Sequence, residues 1–165
     1  MASIPERVEA ALREEFELVP EMDGVDGLVP TPADTVDAAL LDRIGPQLRV
    51  IASYSVGTDH IDLAAARERN VVVTNTPGVL TRATAELTIA LMLSLLRRVA
   101  EGDRLVRSRV PWRIAPTFML GAGLAGRTLG IVGYGRIGRE TARLAEAFGM
   151  HVIYTRHTPL DELLA

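Results

Sequence analysis

The 165 residues include no cysteine. That absence excludes a disulfide framework and a thiolate metal site, and no metal site is expected. An excess of one charge is also missing. The formal net charge is −3, and the basic residues are scattered, with Arg97-Arg98 too short to form a patch. Nucleic-acid binding is therefore not expected. No long apolar run occurs. Residues 87–96 are interrupted by Thr88 and Ser94 and fall short of the ~20 residues that cross a bilayer, so no membrane partner is expected. The opening MASIPERVEA lacks the apolar centre of a secretory signal, and a cytoplasmic location is the expectation. Internal repeats and low-complexity segments are absent. What remains is 48% hydrophobic, enough for an ordinary folded domain with a core.

The most informative stretch is TLGIVGYGRIGRETARLAEAFGMHVIYTR, residues 128–156. A short apolar run at 129–132 reads as a strand. Gly133-Tyr134-Gly135-Arg136-Ile137-Gly138 follows at once with G-x-G-x-x-G spacing. A helical pattern over 140–148 is closed by Gly149, and 150–154 reads as a second strand. In this context each glycine has a reason. Gly133 permits the tight turn, Gly135 lets a pyrophosphate approach the backbone, and Gly138 lets the helix pack on the strand. The amides near Arg136 and Ile137 would point at the phosphates from a helix N-terminus. The alternative is a glycine-rich turn that binds nothing.

The end of the second strand selects the cofactor. An acidic residue there would hold the ribose 2′-hydroxyl of NAD, whereas an Arg suits the 2′-phosphate of NADP. Tyr154 is followed by Thr155, Arg156 and His157, with no acid before Asp161. Arg can pair with a phosphate through two hydrogen bonds, so NADP is favoured, with NAD as the second choice. The alternative for Arg156 is an ordinary solvated loop residue.

Along the chain, Ser3-Ile4-Pro5-Glu6 has capping-box spacing before a helix over 5–15. Residues 16–19 read as a short strand, and 27–30 as another short run between turn signals. A helix over 36–44 is closed by Gly45-Pro46. A buried-type strand covers 48–54, a short helix capped by Asp62 covers 62–69, and a strand covers 71–74. The alternation implies parallel sheet flanked by helices. The longest helix is expected over 84–99, with Leu87, Leu91, Leu95 and Val99 as its main stripe and Ile89, Met92, Leu93 and Leu96 widening it. Such a helix is expected to be buried, in a core or at a subunit interface. A charged helical segment over 101–107 and an irregular connection over 111–123 complete the pattern.

SVGTDHIDL at 55–63, VVVTNTPGVLTRATAEL at 71–87, the segment 124–138 and FGMHVIYTR at 148–156 together resemble the D-isomer-specific 2-hydroxyacid dehydrogenase family, in particular its glyoxylate and hydroxypyruvate reductases. The resemblance covers most of the chain. It implies an α/β fold, with a parallel flavodoxin-like substrate domain at 1–98 followed by an incomplete Rossmann dinucleotide-binding unit at 99–165. It implies hydride transfer between a nicotinamide and a small 2-oxo or 2-hydroxy acid, by a homodimer. Carried over by position, the backbone amides of Ser55, Val56 and Gly57 would hold the substrate carboxylate, and Thr81 would face the nicotinamide end of the cofactor. A turn that merely ends a strand is the other reading of 55–57. For Thr81, or for Thr84, a capping role on the long helix is the other reading.

The resemblance also implies a catalytic Arg, His and Glu beyond Ala165, so no catalytic residue is assigned. His60 reads as solvated or capping, His151 lies in the second strand, and His157 lies at the cofactor loop. The family's usual first strand has no counterpart before the first helix, and 20–27 is compressed where a further helix would be expected. A dinucleotide unit with two strands leaves an edge unpaired, so these residues alone are expected to be unstable or to need a partner. Two readings follow. One is part of an NADP-dependent 2-oxoacid reductase, inactive as 165 residues. The other is a non-catalytic module that binds a nucleotide or a partner subunit.

Overall fold

The computed structural model describes residues 4–155. Its elements are α1 (Glu6–Glu15), β1 (Gly27–Leu28), α2 (Ala38–Ile44), β2 (Val50–Ala52), α3 (Leu63–Glu68), β3 (Val72–Thr74), α4 (Thr81–Leu96), α5 (Val99–Ser108), β4 (Thr128–Val132), α6 (Arg136–Ala147) and β5 (His151–Thr155). β1, β2 and β3 form one sheet in that order, and β4 pairs with β5 in another. Every one of these pairings is parallel, as the alternation of strand and helix requires. The chain is therefore α/β with parallel sheets.

By its internal contacts the chain separates into two compact units, Met1–Val79 and Leu80–Ala165. In the first, side-chain caps set the helix starts. The Asp37 carboxylate accepts from the Leu40 amide at 2.8 Å, and the Asp62 carboxylate from the Ala65 amide at 2.9 Å. A parallel bridge between Val36 and Ile61 puts these two caps beside each other. Gly45, at φ 101°, ends α2, and Asn70, at φ 57°, lies just beyond α3. The core of this unit gathers Leu28, Val36, Leu41, Ile44, Ile51 and Ala66 around β2, and Ile51 is 0% exposed.

The second unit has a smaller core of Ile89, Leu124, Ala145 and Met150, where α4 packs on α6. α4 therefore groups with the dinucleotide-type unit rather than with residues 1–79. One of its two apolar stripes meets this core. Ile89 is buried with Met92, Leu93 and Leu96 against it, whereas Leu87, Leu91 and Leu95 are 59%, 62% and 78% exposed. The helix begins at Thr81 and stops at Leu96, because Arg98 adopts a left-handed backbone at φ 53° and starts α5. The amide of Ala122 returns to the Leu96 carbonyl at 2.8 Å and satisfies the broken end. The expected strand at 16–19 does not form. No neighbouring strand among the described residues pairs with it, and Phe16 and Val19 are exposed.

Replacing Ile51 with Ala should lower unfolding free energy by about 2–5 kcal/mol, the usual result of emptying a buried aliphatic site. Measured at a concentration where the protein is monomeric, Leu91→Ala should change it by no more than about 0.5 kcal/mol in the same urea titration. A similar loss at both positions would contradict this facing of α4.

Candidate functional site

Because β2 and β3 are parallel and in register, with Ala52 opposite Thr74, their ends emerge together. The ladder continues past both strands. The Ser53 amide donates to the Thr74 carbonyl, and the Thr76 amide to the Ser55 carbonyl, each at 2.9 Å. Asn75 Nδ2 then donates to the Val56 carbonyl at 2.7 Å, and Ser55 Oγ to the Gly57 carbonyl at 2.5 Å. Three successive carbonyls of the turn are thus occupied. Among the described residues no acceptor opposes the amides of Val56 and Gly57. A turn with its carbonyls engaged and its amides free has the polarity an anion requires. One group acts against this: the Asp59 carboxylate lies 3.3 Å from where a Cβ on Gly57 would stand.

The chain bends at 54–56 just after β2, whereas Ser53 and Asn75 carry no sequence signal of their own, and the sequence reads His60 as solvated or capping. The structure instead puts the half-buried His60 ring against Ser53, with Nε2 3.2 Å from a hydroxyl that is itself buried. The available signal was positional. Asn75 and Thr76 follow β3 as residues 53–57 follow β2, and adjacent parallel strands bring such segments together.

In the second unit, Gly133 turns the chain at φ 97° out of β4, and its amide donates to the Thr155 carbonyl at 2.9 Å. Thr155 therefore lies beside the glycine turn. A Cβ on Gly138 would run into the Gly133 carbonyl oxygen, so α6 sits directly on the turn. Gly135 differs from both. Its φ of −81° suits any residue, and a Cβ there would meet nothing within 4 Å. It is the N-cap of α6 and offers no side chain to the first-turn amides, which include those of Arg136 and Ile137. The space that a side chain would fill therefore lies over uncapped donors at the positive end of a helix, and a phosphate fits that chemistry. Tyr134 and Tyr154 stack beside the motif, with ring centroids 3.7 Å apart. Arg156, His157 and Asp161 lie outside the described residues.

Thr81 is the first residue of α4. Leu80 is the N-cap, without a side-chain hydrogen bond, so neither Thr81 nor Thr84 caps the helix. Beside Thr81, the Arg82 guanidinium is held above its ordinary range by its hydrogen bond to Glu86, then by the charges of Glu86 and of Glu140 on α6.

The sequence model of the D-isomer-specific 2-hydroxyacid dehydrogenase catalytic domain matches residues 5–161. The chain belongs to this family. It is 48% identical over 151 residues to a glyoxylate reductase of Thermococcus litoralis, covering 88% of this chain and 45% of that one. A solved protein from Thermus thermophilus matches with TM-score 0.84 and 46% identity over 95% of this chain and 55% of that one. A D-lactate dehydrogenase of Aquifex aeolicus, solved with NAD and lactic acid, matches with TM-score 0.82 and 28% identity, covering 98% of this chain and 52% of its own. The chain spans about half the length of the curated relatives it matches. Among the described residues, no helix is long and apolar enough to cross a membrane.

The two glycines separate packing from ligand access. Gly138→Ala should lower the unfolding free energy by about 1–3 kcal/mol, because the Gly133 backbone must move. Gly135→Ala should leave it within about 0.5 kcal/mol, since the new methyl meets open space. Thermal melts of the two variants check this, and equal losses would contradict the geometry.

Proposed function

We propose that these residues are the binding portion of an NADPH-dependent reductase of small 2-oxo acids such as glyoxylate or hydroxypyruvate. The observation that carries the reading is Gly135, a glycine that neither backbone angle nor packing demands, above the uncapped start of α6. The free amides at 56 and 57 add a second candidate anion site, with donors of the kind a carboxylate takes. Relatives named as glyoxylate reductases support the substrate class.

In this reading Val56 and Gly57 hold the carboxylate through their amides, with Ser55 shaping the turn. Gly133, Gly135 and Gly138 admit the pyrophosphate to the amides of Arg136 and Ile137. Thr81 lines the nicotinamide end, and Thr155 and Arg156 take the 2′-phosphate. A dinucleotide bound there supplies the hydride. Protonation of the carbonyl oxygen is assigned to no residue of this chain. The 165 residues alone are accordingly proposed to bind without turning over. The first unit is read as the substrate domain and the second as the cofactor domain, and the location as cytoplasmic. NAD use is the second reading, favoured by the Aquifex relative solved with that cofactor.

The full-length protein should oxidise NADPH when given glyoxylate or hydroxypyruvate. Gly135→Ala should raise the KM for NADPH at least about tenfold, a loss of ~1.4 kcal/mol in binding, while the fold persists. Arg156→Asp should move the preference from NADPH toward NADH. No turnover with either substrate would overturn the activity, and an unchanged preference would overturn the cofactor assignment.

The exposed stripe of Leu87, Leu91 and Leu95 supports a homodimer through α4, since an apolar row of this kind is seldom left in water. Light scattering should report a dimer for the parent protein and a monomer for Leu91→Glu. A dimer that survives the substitution would place the interface elsewhere.

A further inference from the structure

The hydrogen bonds behind the turn at 55–57 run in one direction. The Gly57 carbonyl can only accept, so Ser55 Oγ commits its single hydrogen there, at 2.5 Å. Ser55 must then accept at its 2.8 Å contact with Ser53 Oγ. Ser53 has thereby used its own hydrogen and must accept from His60 Nε2, at 3.2 Å. The relay therefore passes from the imidazole N–H through two hydroxyls to one backbone carbonyl. Ser53 is 3% exposed, so water has little access to take the place of the ring.

We infer that His60 is a positioning residue for the anion turn, acting as an Nε2 donor that orients Ser53 and Ser55 and so fixes the Gly57 carbonyl away from the free amides. Three carbonyls are held by three different devices: the Thr76 amide, the Asn75 side chain and this relay. The relay is the one that reaches Gly57, whose amide is a candidate donor to the ligand. Losing it leaves Val56 tied and lets Gly57 rotate. The neutral ring of His60 is confined to the tautomer with hydrogen on Nε2. The relay stands on geometry alone, whereas its consequence for catalysis rests on the substrate reading proposed above.

Two measurements on the full-length protein test this. Long-range proton–nitrogen spectra of the His60 ring should show the Nε2–H tautomer, and Ser55→Ala should release that preference by freeing the Ser53 hydrogen. A neutral Nδ1–H ring in the parent would overturn the relay, and this readout needs no variant to fold. In steady-state kinetics, His60→Leu should raise the KM for glyoxylate about five- to tenfold, with kcat within about twofold and the KM for NADPH unchanged, as expected for one lost ordering hydrogen bond. His60→Gln, which can place an N–H near the position of Nε2, should recover most of the loss. Equal defects in the Leu and Gln variants would overturn the positioning role. If the parent turns over no 2-oxo acid, the substrate reading fails and the ring tautomer alone decides the relay.

Discussion

Parallel pairing is the constraint on which both units depend. Two parallel strands need a crossover, so their C-terminal ends leave the sheet at the same edge, and whatever follows each strand is forced together there. In the first unit this brings Asn75 to the Val56 carbonyl. In the second it brings Thr155 to the Gly133 amide. Neither contact involves residues close in sequence, and both follow from register alone. The crossover helices then begin at that same edge, which puts their unsatisfied first-turn amides beside the strand ends.

What distinguishes the two edges is how those helices are closed. The first turn of α3 is met by the Asp62 carboxylate, which supplies both an acceptor and a negative charge. The first turn of α6 begins at a glycine with no side chain to offer. The dipole is similar in kind at both starts, but of these two helices α6 is the one without a side-chain cap. On the proposed reading, this difference suits a doubly charged pyrophosphate to the second unit and the smaller charge of a carboxylate to the loop amides of the first.

This division also explains what could be read from the sequence and what could not. Features set by neighbours within a few residues were legible: the Asp62 cap, the Gly45 stop, and the strand–glycine–helix–strand run from β4 to β5. The facing of α4 was not, because it carries two apolar stripes and periodicity cannot tell which one meets α6. The break at Arg98 depends on Ala122 returning to the Leu96 carbonyl, a contact outside any local window. The strand anticipated at 16–19 failed for the complementary reason: extended propensity does not make a strand without a partner to pair with. Within the candidate site, the glycine motif announced itself, whereas Ser53, Asn75 and His60 acquire their roles only from the register of β2 against β3.

The charge balance at the anion turn limits what its amides can do alone. Two amide hydrogen bonds to a carboxylate are worth roughly 1.5–3 kcal/mol each. The Asp59 carboxylate stands close to Gly57, and a like charge at a separation on the order of 5 Å opposes binding by roughly 1–3 kcal/mol, depending on how well water screens it. These terms nearly offset one another once the entropy of holding a small ligand is included. On the proposed reading the turn would orient a carboxylate without retaining it firmly. On that reading a cation would supply the remaining attraction, and the Arg implied by the family resemblance is a group of that kind. In the proposed function the amides would set where the substrate sits, and the cation how tightly it is held.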